Sequence, residues 1–209
     1  MRSNILPIKK NETKRELQNF KKTKLKFDVQ KMQKAMDDIL DKMKWKEWHV
    51  KGFCLNKIPN DTTSIQGGNL RGVYWTKPDH TGTEVVRESP IKEKMYTELN
   101  EQFKGTYFEE IYNELNKHYK VGRVRILLKE PRTTLSWHRD PEPRLHLAIL
   151  TNPGSILVID DEAKHIPSDG HVWYTNTRKY HNAFNGGEED RIHLVATYLG
   201  ERQPNSSCK

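Results

Sequence analysis

Apolar positions along the chain change period twice. From Asp28 to about 46, Val29, Met32, Met36, Ile39, Leu40 and Met43 recur at helical spacing behind a good N-cap, which predicts a helix with a methionine-rich seam facing a core. A weaker helical pattern covers about 12–22, after an irregular start that includes Pro7. From Trp48 the texture shifts to short runs. Residues 50–55, 72–76 and 83–87 read as strands, punctuated by Asn60-Asp61, Gly67-Gly68 and a turn from Pro78 to Gly82. Helical spacing returns over 90–119, with Pro90 at a start position, then Ile91, Met95, Leu99 and Phe103, a break at Gly105, and Phe108, Ile111, Tyr112 and Leu115. Beyond Val121 the chain becomes strands and turns: 121–129, 144–151, 155–160, 163–166, 171–174, 181–184 and 191–199. Six or more strands at that spacing predict a β-sandwich or barrel with helices packed outside.

Length and composition narrow this picture. The 209 residues suit one domain with an extension. The predicted division is a basic helical extension over 1–47 and a single domain over 48–209, with its β core at about 121–200. No stretch approaches the roughly 20 apolar residues that cross a bilayer, and the basic N-terminus lacks the apolar run of a secretory signal. Cys54 and Cys208 are too few and too far apart for a disulfide framework. A reducing cytoplasm is therefore expected.

The net charge of +8 is concentrated at one end. Residues 1–57 carry 16 Lys/Arg against 7 Asp/Glu, and residues 58–209 carry 20 against 21. A basic arm can contact nucleic acid or a ribosome. A solvated lysine-rich helix face gives the same charge, and no RNP-like aromatic run or zinc-knuckle spacing accompanies it.

The candidate chemistry lies in the strand-rich part. In a strand, residues i and i+2 share a face, so His138 and Asp140 can aim at one metal from a strand end. His181 stands 43 residues later, where a second strand can bring it in. Two histidines and a carboxylate are the facial set that holds non-haem Fe(II) and leaves positions open. Arg191 follows an Asn185-Gly186-Gly187 turn, which predicts a hairpin with the His181 strand and an arginine deep in the barrel. A buried arginine there is suited to grip a carboxylate bidentately. Arg144 and His146 alternate with Ala148 on one face, and when buried they need anionic partners, either a bound anion or Glu142, Asp160 or Asp161.

Four ordered stretches carry a resemblance: Trp137-His138-Arg139-Asp140, Arg144-Leu145-His146-Leu147 with Thr151-Asn152, Tyr180-His181-Asn182-Ala183-Phe184-Asn185, and Asp190-Arg191-Ile192-His193-Leu194-Val195. Over about 121–200 the chain resembles the Fe(II)/2-oxoglutarate oxygenases of the aspartyl/asparaginyl β-hydroxylase-like branch, which also holds free-proline hydroxylases and many bacterial and phage proteins. With its lysine-rich N-terminal helix the chain looks like phage members, which would place it in a host cytoplasm.

The resemblance implies a double-stranded β-helix, the cupin-like jelly roll, in an α+β chain. It implies Fe(II) on His138, Asp140 and His181, and 2-oxoglutarate held by Arg191 at its far carboxylate and by His146 at the other end, with O₂ as second cosubstrate. Arg144 would face cosubstrate or a substrate carboxylate. Trp137, Trp173, Tyr180 and Asn182 become candidates for the pocket wall. The implied reaction hydroxylates an unactivated C–H bond while 2-oxoglutarate is decarboxylated to succinate and CO₂. A protein side chain or a free amino acid is the expected substrate. A nucleic-acid substrate and a non-enzymatic metal-binding cupin are the alternatives.

His138-Arg139-Asp140 also spells part of a kinase catalytic loop, but position 145 is Leu where that loop needs Asn, and no Asp-Phe-Gly exists. A catalytic zinc protease is disfavoured because no His-Glu-x-x-His helix accompanies the site.

Overall fold

The computed structural model describes residues 18–45, 51–61, 76–86 and 92–202. In chain order the strands are β1 (Phe20–Lys26), β2 (Lys51–Cys54), β3 (Asn56–Lys57), β4 (Thr76–Pro78), β5 (Glu84–Val86), β6 (Glu98–Leu99), β7 (Tyr119–Lys129), β8 (Thr133–Thr134), β9 (Arg144–Leu150), β10 (Ser155–Ile159), β11 (Glu162–Lys164), β12 (His171–Thr175), β13 (His181–Asn185) and β14 (Arg191–Glu201). The α-helices are α1 (Val29–Lys42) and α2 (Tyr107–His118).

Ten of these strands form two sheets. A six-stranded sheet runs β1-β12-β9-β14-β7-β2, and a four-stranded one runs β11-β10-β13-β8. All the pairings are antiparallel. The two facing antiparallel sheets, with helices outside the larger one, are the expected double-stranded β-helix architecture.

Alternation sorts the large sheet's two faces. On β7, β9 and β14 the outward residues Ile126, Leu128, Leu145, Leu147, Ile149, Ile192, Leu194 and Ala196 belong to one apolar cluster. It is closed by Met32, Met36 and Ile39 of α1 and by Phe108, Ile111 and Leu115 of α2. The α1 seam is the predicted one, and its N-cap Asp28 accepts from the Lys31 N–H at 3.1 Å. The intervening residues Arg123, Arg125, Leu127, Lys129, Arg144, His146, Arg191, His193 and Val195 face the other sheet. There only a small apolar cluster forms, around Ala148, Leu157, Ile159, Ile166 and Ala183. The space between the sheets is therefore largely polar, and it holds the site.

Three expectations change. Residues 20–22, read as the tail of a helix, open β1, while 12–17 lie outside the described residues. The strand adds to the edge of the large sheet by pairing with β12. Over 92–119 only α2 is α-helical; before it come two short 3-10 turns, Glu93–Met95 and Glu101–Phe103, with β6 between them. Side chains tie this segment to the sheet instead. Asn56 donates to the Tyr96 and Gly122 carbonyls, and Asn100 donates to the Cys54 carbonyl. The third change concerns the Asn185-Gly186-Gly187 turn. It makes no hairpin, because β13 lies in the small sheet and β14 in the large one. The turn crosses between sheets and packs on the 152–154 turn so closely that a Cβ on Gly187 would lie 2.0 Å from the Asn152 side chain.

The predicted Pro78–Gly82 turn does join the short pair β4 and β5. Residues 62–75 and 87–91, which include the expected strand start at 72 and Pro90, lie outside the described residues, as do 1–17 and 46–50 of the basic segment. No helix among the described residues is long and apolar enough to cross a membrane.

Candidate active site

His181 opens β13. His138 belongs to the segment between β8 and β9, but its backbone pairs with that of His181 through two hydrogen bonds, of 3.1 Å and 2.9 Å. The Asp140 N–H donates to the Thr177 carbonyl at 2.8 Å. His138 and Asp140 are thus fixed from a loop stitched to the small sheet and its turn, rather than from the end of a regular strand.

The stitching brings the three side chains together. The two imidazole centroids are 4.3 Å apart. His138 Nε2 lies 3.9 Å from Asp140 Oδ1, and His181 Nε2 lies 3.8 Å from Oδ2. One ligand atom from each residue falls within 4.8 Å of the others. His138 Nδ1 is 2.7 Å from the Ser136 carbonyl, and His181 Nδ1 is 3.0 Å from the Lys179 carbonyl. A carbonyl only accepts, so both Nδ1 atoms carry the hydrogen and both Nε2 lone pairs are free to bind a metal.

The charge states suit a cation. Burial alone would raise the Asp140 carboxyl, but Arg144, then His181, His138 and Arg125, outweigh it and hold the group below its usual range. Arg144 Nε forms an ion pair with Asp140 Oδ2 at 3.1 Å. Burial pushes His181 down against the pull of Asp140, which favours the neutral imidazole a metal requires.

A cavity of about 1350 Å³ opens from this cluster. Arg125, Leu127, His146, Arg191 and Val195 line it from the large sheet, and Leu135, Leu157 and Ala183 line it from the opposite side. Arg191 is buried, and burial alone lowers it to about 9. Its one hydrogen-bond partner among the described residues is His193, whose Nδ1 lies 2.6 Å from an Arg191 terminal nitrogen. That same Nδ1 is 3.5 Å from His146 Nδ1. Burial, and then Arg191, holds both imidazoles well below their ordinary value, so both are neutral. Arg191 Nε is buried without a partner. Directly across the strands stands Lys129, itself buried and lowered to about 8 by burial and by Arg191. Two buried cations with no carboxylate among the described residues, and an orphaned guanidinium N–H, leave this region suited to an anion.

The remaining expected residues divide. Arg144 is buried and already engaged, by Asp140 and by Glu142, whose Oε2 lies 3.8 Å away and whose carbonyl accepts at 3.2 Å. Trp137 and Tyr180 flank the two histidines as an exposed stacked pair, 6.2 Å between centroids. Asn182 turns away from the cavity: it accepts from the Thr134 hydroxyl and donates to the Leu135 carbonyl, tying strands together. Trp173 does not line the cavity. It packs on the small apolar cluster, with the Lys164 ammonium 5.3 Å from its ring.

Sequence reasoning passed over Arg125, Lys129 and His193. The usable signal was the alternation Arg123, Arg125, Leu127, Lys129 against Val124, Ile126, Leu128, which gives a strand one apolar and one cationic face.

A family model described as Aspartyl/Asparaginyl beta-hydroxylase matches residues 92–199. No curated protein matches the chain. Similar solved structures include three oxygenases. A viral collagen prolyl hydroxylase from Paramecium Bursaria Chlorella virus-1, in complex with 2-oxoglutarate, is 10% identical over 88% of this chain and 97% of that one, with a TM-score of 0.46. A prolyl-4-hydroxylase from Pseudomonas putida is 9% identical over 90% and 95%, at 0.45. The non-haem α-ketoglutarate-dependent carbocyclase SnoK from nogalamycin biosynthesis is 12% identical over 90% and 84%, at 0.47. With the matched residues spanning half the chain and a His-Asp-His cluster that could hold a metal ion at the head of the cavity, the protein belongs to the aspartyl/asparaginyl β-hydroxylase family and is a hydroxylase.

Proposed function

We propose that the chain hydroxylates an unactivated C–H bond of an amino-acid residue, in a protein or as a free amino acid, at a centre held by His138, Asp140 and His181. The observation that carries this reading is the convergence of those three side chains, with free Nε2 lone pairs, on the cavity that Arg191 also lines. Fe(II) bound there would supply, with O₂ and 2-oxoglutarate, the oxidising power to convert a C–H to a C–OH bond, with succinate and CO₂ as the other products.

The protein's own part is positional. Ser136 and Lys179 carbonyls orient the imidazoles, and Arg144 keeps Asp140 ionised. Arg191 fixes the far carboxylate, with His193 holding the guanidinium and His146 lining the wall beside it. The apolar walls at Leu135, Leu157 and Ala183 exclude water from the reacting region. In this reading the oxygenase domain is 48–209, with its core at 121–200. The segment 1–47 contributes β1 to the sheet edge and α1 to the outer face. A reducing cytoplasm would keep both iron and the buried Cys54 thiol reduced.

The test is succinate formation from 2-oxoglutarate in the presence of Fe(II) and ascorbate. His138→Ala and His181→Ala should each abolish it, and normal turnover in either variant would remove the proposed ligand set.

A further inference from the structure

Four buried arginines line the cavity, and three of them have a described partner. Arg144 is neutralised by Asp140 and Glu142. Arg123 pairs with the buried Glu93 at 3.4 Å, and that carboxylate also accepts the Arg123 backbone N–H at 2.7 Å. Arg191 is bonded to His193 and is taken, in the reading above, by 2-oxoglutarate. Arg125 remains. Its side chain lines the cavity and is 7% exposed, and its Nε is buried without a partner. It makes no hydrogen bond or ion pair with any described residue. Arg123 and Arg144 repel it, which outweighs the attraction of Glu93, and no carboxylate reaches it as an ion pair. Burial, then those two, lowers it to about 9, so it is still cationic at neutral pH.

A buried cation with no carboxylate in contact is costly, and folding retains one where an anion is to be bound or charge is otherwise used. Register says which molecule can reach it. Arg125 is paired with Val195 of β14, which is paired in turn with His146 of β9. Arg125 therefore stands two strands from His146 on the same face, roughly 10 Å away. With one 2-oxoglutarate carboxylate on Arg191 and the other at the metal, Arg125 is left for the second molecule in the cavity. Exposed Lys92, Lys94, Lys120 and Arg202 surround the cavity's outer part and favour entry of anions.

We propose that Arg125 is a subsite for an oxyanion of the substrate, a carboxylate or a phosphate, so that the molecule hydroxylated is anionic and is anchored through that group. This rests on the proposed placement of 2-oxoglutarate on Arg191. It moves the substrate anchor from Arg144, the expected candidate, to a residue two strands away.

The experiment follows thermal unfolding of the full chain loaded with Mn(II), with and without 2-oxoglutarate, as acetate or inorganic phosphate is added at constant ionic strength. One of the two anions should raise Tm saturably. The rise should add to that of 2-oxoglutarate, and its half-saturation should weaken at least about tenfold in Arg125→Met, as loss of a charge-assisted contact requires. Arg125→Lys should keep part of the response. Preference for phosphate identifies a phosphorylated substrate, and preference for acetate a carboxylate. Arg125→Met without anion should melt no lower than the parent, because an unpartnered buried charge has been removed; a clearly lower Tm would mark a structural arginine and overturn the proposal. No response to either anion, an undiminished response in Arg125→Met, or one cancelled by 2-oxoglutarate would also overturn it. Absence of any stabilisation by Mn(II) and 2-oxoglutarate, with the Arg125-dependent anion response intact, would instead remove the oxygenase reading beneath it.

Discussion

Arg191 and Lys129 face each other across β14 and β7 in a region whose described residues offer them no carboxylate, and that imbalance makes separate predictions for each. Arg191→Ala should raise the KM for 2-oxoglutarate by about 10- to 100-fold, the value of a hydrogen bond to a charged group, with a smaller effect on kcat. An unchanged KM would exclude the assigned role. Lys129 has a folded pKa of about 8, below the unfolded value of about 10.4. The unfolded chain then binds more protons than the folded one between those values, so stability contributed at this site rises with pH across that window. Below about pH 8 the full cost of burying the ammonium is present. Lys129→Met should therefore raise Tm by a few degrees at pH 7, and the gain should shrink towards pH 10. A gain independent of pH would point to packing instead of charge.

Among elements, the crossover from β13 to β14 decides whether His181 and Arg191 reach one cavity from two sheets. Asn185 holds it. Its side chain donates to the Lys129 and Glu189 carbonyls and accepts from Asn152 and the Gly187 N–H, and it is fully buried. Asn185→Ala leaves several buried groups unsatisfied and should cost about 2–4 kcal/mol, seen as a drop in Tm of roughly 5–15 °C. An unchanged Tm would mean that the two turns hold each other without it. Strand positions beyond residue 121 were legible in the sequence because alternation and turn residues act over a few positions. The path of this turn was not, since Asn-Gly-Gly suits a hairpin and a crossover equally. The helical spacing of Ile91, Met95, Leu99 and Phe103 misled for a related reason. Asn56 and the Leu55 and Lys57 carbonyls reach from distant positions to bond the Tyr96 carbonyl and the Asn100 and Thr97 N–H groups, backbone that a helix would otherwise have satisfied internally.

For the whole molecule, metal and cosubstrate binding should add to folding stability, because only the folded chain assembles His138, Asp140 and His181. Mn(II) at 100 times its Kd should contribute about 2.7 kcal/mol and raise Tm by several degrees, with a further rise on adding 2-oxoglutarate. His138→Ala should lose both increments, and Arg191→Ala only the second. If Arg191→Ala lost the metal's increment as well, the metal and dicarboxylate parts of the site would not be separable.

Residue type and local spacing were enough to name the chemistry: a His-x-Asp, a later histidine and a trailing arginine, placed among short alternating strands. These are short-range properties, carried by the periods of strands and by which side chains can ligate a metal. Charge compensation need not be short-range. Arg144 and Arg125 look alike in the sequence, each a cation in an alternating strand, yet one is neutralised by Asp140 and Glu142 and the other makes no ion pair with a described residue. Arg144's partners lie within four residues of it, whereas the absence of a carboxylate in contact with Arg125 follows from how the sheets and loops around the cavity meet. Folding thus settled which arginine was left to bind something else.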